Sequence, residues 1–246
     1  MITDVVDEYV IDKYTKLDIE RSCRRYGINP KHLSMIINHK KVVPMIRGIG
    51  AEYHLLDIMK QLKIYAYKNE EQDKDCFIEK YVAENKLAEK NSAKIEVNGV
   101  LSLRVKCMRS RTSGEKKCKE RAKALGLDYK LCKIHSDQYR KTDFDIVVTN
   151  IGNAFMNDVQ LRDWLKDHQR QLSYPYSHIY WAWSRDLIST SNNQCCQRRR
   201  GCDKDCGFIP HYPIMTFPSV GVVNYPWRSL KELEYLSSKI NRKLPI

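Results

Sequence analysis

The stretch "DFDIVVTNI", residues 143–151, limits this chain more than any other. Its apolar run is short, rich in β-branched residues and has no polar alternation. It therefore reads as a strand buried on both faces rather than as an amphipathic helix. A strand of that kind needs cover above and below, so it demands a sheet inside a layered domain. "HIYWAWS" (178–184) is a second such strand. "GEKKCKERAKAL" (114–125) and "VQLRDWLKDHQ" (159–169) supply helical patterns between and around these runs.

Further upstream the periodicity changes. In "PMIRGIGAEYHLLDIMKQL" (44–62), Ile49, Tyr53, Leu56 and Met59 mark a long helix whose polar side includes Glu52 and Asp57. Residues 74–106 are extended in character, and "KIEVNGVLSLRVK" places Asn98-Gly99 between alternating apolar residues, a strong hairpin signal. The order helix, about three strands, helix, strand, helix, strand predicts an α/β fold with a mixed central sheet flanked by helices. Residues 1–45 form an N-terminal helical segment, 46–190 the core, and 191–246 a Cys- and Arg-rich C-terminal part. Within the first segment, "YGINPK" separates two short helical patterns. Gly27 suits the end of one helix, and Asn29 and Pro30 suit the start of the next, which is a helix-turn-helix pattern. Its second helix carries Lys31, His32, Ser34 and Asn38, polar groups able to reach phosphates or base edges.

The charge balance narrows the partners. A formal net charge of +13 attracts polyanions, nucleic acid first among them. There is no basic amphipathic helix with a clean apolar face, which disfavours a lipid surface. No apolar run approaches the ~20 residues that span a bilayer. The opening "MITDVVDEYVIDKY" lacks the basic-then-apolar layout of a secretory signal, so a cytoplasmic location is expected. Nine cysteines in such a chain suggest thiols or metal ligands rather than disulfides.

The segment "DKDCFIEKYVAENKLA" (73–88) carries the sharpest chemistry. Glu84 and Lys86 are two apart, so on a strand they share a face. A fold-back near Glu79-Lys80 would set Asp75 opposite Glu84, although "IEKY" has no Gly, Asn or Pro to enforce the turn. Two carboxylates and an ammonium at one sheet edge suit phosphodiester hydrolysis. The carboxylates can hold Mg²⁺, and the lysine can orient or help deprotonate the attacking water and offset charge on the phosphate. Solvated charges on a strand face are the plain alternative.

Asp-x8-Glu-x-Lys in a hairpin after a Glu-bearing helix resembles the PD-(D/E)XK nuclease superfamily. "RVKCMRSRT" (104–112), "SDQYRKTDFDIVVTNIGNAF" (136–155) and "GIGAEYHLL" look like segments of prokaryotic type II restriction endonucleases, and the likeness covers about residues 43–155. The resemblance implies a restriction-endonuclease-like core. It also implies Asp75 and Glu84 as Mg²⁺ ligands, Lys86 as the catalytic lysine and Glu52 as an auxiliary acid. The expected activity is Mg²⁺-dependent, sequence-specific cleavage of double-stranded DNA, with a homodimer to cut both strands. The sequence departs from the pattern in having Lys74, not proline, before Asp75, and Asp73 competes for the first ligand position. Lys106 is a rival lysine, but Arg104 stands two before it and an arginine cannot ligate Mg²⁺.

Two cysteine groupings are candidate Zn²⁺ sites. "CCQRRRGCDKDCGFIPH" (195–211) offers Cys195, Cys196, Cys202 and Cys206 for a structural zinc, with His211 beyond; Cys107, Cys118, Cys132 and His135 form a looser set. Arg198, Arg199 and Arg200 inside the first grouping, together with Arg109, Arg111 and Lys31, are candidate DNA contacts. A non-enzymatic regulator built on the helix-turn-helix and a zinc-braced loop is the alternative function. A zinc-scaffolded nuclease with a catalytic histidine ranks last, because no His-Asn pair in a ββα setting is present.

Overall fold

The computed structural model describes residues 13–68, 75–96, 98–155, 179–187, 206–218 and 222–241. The chain divides into two compact units at Ile49–Gly50. In the first, helix α1 (Lys13–Arg25) and helix α2 (Pro30–Ile37) flank a turn in which Gly27 takes φ +65°, a left-handed conformation glycine adopts without a Cβ penalty. Pro30 opens α2, where its missing N–H costs nothing. The two short helices and the glycine turn between them thus fall where the sequence places them.

Helix α3 (Val43–Gln61) runs across the boundary into the second unit. Its buried stripe is Ala51, Leu55, Ile58 and Met59, whereas Ile49 and Tyr53 are exposed. The expected face was rotated by part of a turn. A chain apolar on both sides of the wheel allows two overlapping stripes, and packing selects the one that begins with the small Ala51.

Among the described residues, six strands form a sheet in the order β1 (Ala66–Tyr67), β2 (Cys76–Ile78), β3 (Tyr81–Leu87), β6 (Ile146–Asn150), β7 (Ile179–Trp183), β9 (Arg228–Ser229). β3 and β6 are parallel and the remaining pairs antiparallel, so the sheet is mixed as expected. "DFDIVVTNI" supplies β6, buried at every position, and "HIYWAWS" supplies β7. The Asn98-Gly99 hairpin also forms, but outside the main sheet. Its strands β4 (Lys94–Ile95) and β5 (Leu101–Arg104) join β8 (Ile214–Phe217) in a separate three-stranded sheet. Helix α4 (Glu115–Leu125) and helix α5 (Tyr129–Ile134) follow β5, and helix α6 (Leu230–Asn241) packs on β7 and β9. The helix expected at 159–169 lies outside the described residues.

Strand alternation assigns the two faces of the main sheet. Cys76, Ile78, Ala83, Ile146, Val148 and Trp181 pack against Leu55, Ile58 and Met59 of α3 and Leu233 of α6. Val147, Tyr180 and Ala182 face the other way, onto Leu101, Leu103, Met215 and Phe217 of the second sheet. The mixed sheet thus lies between helices and a smaller sheet. Among the described residues no helix is long and apolar enough to cross a membrane.

Candidate active site

β2 and β3 form the hairpin expected at Glu79-Lys80. The pairing Cys76↔Ala83, Phe77↔Val82, Ile78↔Tyr81 leaves a two-residue turn. Glu79 adopts φ +53° there without being glycine. Its N–H donates to the Tyr65 carbonyl at 2.7 Å, and its carboxylate accepts from the Tyr65 N–H at 3.2 Å. These bonds compensate a conformation that L-residues adopt at a cost.

This register carries Asp75 opposite Glu84. The Asp75 carboxylate accepts the backbone N–H of Asn85 at 2.8 Å, so the side chain is clasped to the neighbouring strand. The same oxygen lies 3.1 Å from Lys86 Nζ, and Glu84 Oε2 lies 2.6 Å from that nitrogen. The three groups predicted from spacing are therefore in contact, with the ammonium between the two carboxylates. Asp145 fixes the start of β3, accepting from the Val82 N–H at 2.9 Å. Past the end of β3, Asn153 Nδ2 donates to the Ala88 carbonyl at 2.6 Å.

Glu84 is only 3% exposed. Burial, and secondarily the Asp75 charge, push its carboxyl above the usual range, against the opposing pull of Lys86. Burial works against the charge on Lys86, but Glu84 and Asp75 outweigh it and hold the ammonium well above the ordinary lysine range. Two acids thus flank one base in a confined place. Cys76, on the opposite face of β2, has its thiol pushed up to about 12, first by burial and then by Asp75, Glu52 and Glu84.

Sequence reasoning missed Tyr139. Its hydroxyl donates to Glu84 Oε2 at 3.2 Å, and Lys86 Nζ lies 5.2 Å from its ring centroid. Burial is the main cause that pushes the phenol up to about 12. Tyr139 is braced by an edge contact with Phe144 at 5.3 Å and by the Ile209 N–H on its carbonyl at 2.8 Å. The preceding turn is held by Arg121, which donates to the His135 and Gln138 carbonyls at 2.9 Å each. The tyrosine lies in "SDQYRKTDFD", a segment already singled out, but a loop has no periodicity from which to read its direction.

Glu52 is engaged elsewhere. It pairs with Lys68, whose ammonium also lies 5.5 Å from the Tyr53 ring centroid. The charge of Glu52 is felt by Cys76, and that of Asp75 by Lys68. Arg109 and Arg111 lie on a loop that runs beside the segment leading to Tyr139: the Arg109 N–H donates to the Asp137 carbonyl at 3.1 Å and the Thr112 N–H to the Ser136 carbonyl at 2.9 Å. The Arg111 side chain is mostly exposed, 3.9 Å from an Asp137 oxygen, and Asp137 also meets His211 at 2.8 Å. Arg104, two before the rival Lys106, pairs with Glu89.

Of the expected zinc ligands, Cys195, Cys196 and Cys202 lie outside the described residues, as do Arg198, Arg199, Arg200, Asp73 and the side chain of Lys31. Cys206 is buried beside Phe208. Cys107, Cys118, Cys132 and His135 are buried, and His135 stacks on Phe208 at 4.2 Å while meeting Gln138 at 2.6 Å. Among the described residues no group of three or more His, Cys, Asp or Glu side chains is placed to hold a metal ion.

No family model, curated protein or solved structure matches this chain.

Proposed function

We propose that this protein is a Mg²⁺-dependent endonuclease that hydrolyses phosphodiester bonds in duplex DNA, of the type II restriction kind, on a PD-(D/E)XK-like core. One observation carries the reading. Asp75, Glu84 and Lys86 meet within 3.1 Å at the point where the sheet changes from antiparallel to parallel. A solvated strand face does not account for this, because Glu84 is buried and a buried carboxylate needs a cation beside it.

The donor set fits Mg²⁺. Both groups offer hard oxygens, and this ion is bound by one or two carboxylates while it keeps waters and meets substrate phosphate. Asp75 and Glu84 would hold it, and it would supply a Lewis acid for the phosphate and a bound water of lowered pKa. The chain's own groups do the rest. The Asn85 N–H fixes the Asp75 oxygen, and the Tyr139 hydroxyl fixes Glu84. In the metal-free site Glu84 and Asp75 hold Lys86 protonated, so it is available as a hydrogen-bond donor and as a positive charge opposing that on the phosphate. Arg109, Arg111, Lys31 and Arg198–Arg200 would meet DNA phosphates or guanine edges. A structural Zn²⁺ on Cys195, Cys196, Cys202 and Cys206 and a twofold homodimer belong to the same reading.

The test is cleavage of unmethylated plasmid and phage DNA by the purified protein and by Lys86→Ala, with Mg²⁺ and with EDTA. Discrete fragments that need Mg²⁺ and vanish in the variant are expected. Equal DNA binding by both proteins with no cutting of any substrate would transfer the reading to a regulator that binds through α1 and α2.

A further inference from the structure

The Asp75–Glu84 pair already has a cation between its oxygens. Lys86 Nζ stands 2.6 Å from Glu84 and 3.1 Å from Asp75, and its side chain is 15% exposed. Two charge-assisted contacts of this length are strong ones. The Tyr139 hydroxyl closes on the same Glu84 oxygen, Oε2, that meets the lysine. A divalent ion and this ammonium would therefore draw on the same oxygens.

We infer that Lys86 is the resident counter-cation of the site, and that it must release Asp75 and Glu84 before these carboxylates can hold a divalent ion. This rests on the metal-site reading above and adds a control to it. In the metal-free protein the lysine is sequestered, and loading the site frees it for the substrate phosphate. Two acids around one base favour the exchange. A dication replacing a monocation neutralises both carboxylates at once, and the released ammonium regains water or meets the incoming phosphate.

The experiment is a titration of the full chain with Mn²⁺, followed by calorimetry and by the electron paramagnetic resonance of the free ion. Parent and Lys86→Met are compared, methionine filling a similar volume without charge. The variant is expected to bind Mn²⁺ about tenfold more tightly or better, the scale of one charge-assisted hydrogen bond no longer in competition. Equal or weaker binding by the variant, with the parent binding normally, would overturn the inference and leave the nuclease reading intact. Absence of Mn²⁺ binding in the parent would overturn both.

A second measurement guards against a variant that fails to fold. In the parent, amine acylation read at Lys86 by mass spectrometry should be faster with saturating Mg²⁺ than with EDTA, while exposed lysines such as Lys94 and Lys119 keep their rates. Unchanged or slower labelling at Lys86 would overturn the inference.

Discussion

Removing the Tyr139 hydroxyl tests the group that caps the cluster. Tyr139→Phe keeps the ring beside Lys86 and the contact with Phe144, and loses the donor to Glu84 together with the hydroxyl's contact with Lys86. A hydrogen bond to a charged group contributes about 1.5–3 kcal/mol, so kcat/KM should fall by roughly ten- to a hundredfold. The lost donor favoured the ionised form of Glu84, so the acidic limb of the pH–rate profile should move to higher pH. A variant with lower activity but an unmoved profile would leave the tyrosine as packing alone. Glu84 itself gives a linkage test. Its folded carboxyl is raised above its unfolded value, so below the ordinary glutamate range both states hold the proton. As pH climbs from there through the raised value, the folded state must give up a proton at a cost the unfolded chain does not bear. The metal-free parent should therefore lose stability relative to Glu84→Gln as pH rises. Melting temperatures compared from the ordinary glutamate range upward should favour the variant increasingly until the raised value is passed, and level off beyond it.

At the scale of elements, sequence and structure agree where packing alone dictates the pattern. Ile146, Val147 and Val148 are buried on both faces as an uninterrupted apolar run that carries Thr149 and Asn150 inside with it, and the hairpin forms around Asn98-Gly99, residues that suit its turn. The spacing of Asp75, Glu84 and Lys86 was legible for the same reason, since a period of two fixes a face. Three features were not. The turn at Glu79 depends on a pairing with Tyr65, fourteen positions away, that no local signal announces. The separation of β4 and β5 into a second sheet depends on β8, more than a hundred residues on. Tyr139 reaches Glu84 from a loop set by Arg121, Gln138 and Phe208, contacts that exist only after folding. The turn can be tested. Glu79→Val places a β-branched residue at φ +53° and deletes the bond to Tyr65, so thermal unfolding should report a loss of about 1–3 kcal/mol. Glu79→Gly, which relieves the backbone but loses the same bond, should cost less.

For the whole molecule the governing quantity is charge. On the proposed function, a net +13 would make DNA affinity an ion-release equilibrium. In EDTA, where no cleavage confuses the reading, fluorescence anisotropy on a duplex should show affinity falling about 10³- to 10⁵-fold between roughly 50 and 200 mM salt, as for about six to ten neutralised phosphates. A shallow dependence would mean that the excess Lys and Arg do not meet the backbone. Fold and charge together also say something about how such a chain can vary over generations. β3 is held by an antiparallel neighbour on one side and a parallel one on the other, with Tyr81 and Ala83 turned to the α3 side and Glu84 and Lys86 to the other. Exchanging one side chain there alters one function. Inserting or deleting a single codon between those for Cys76 and Leu87 would exchange the two sets, turning Ala83 outward and driving two charges toward α3. Inheritance can therefore reword this hairpin but cannot change its length. Among distant descendants, the count of residues from Asp75 to Lys86 should outlast the identity of almost every residue between them.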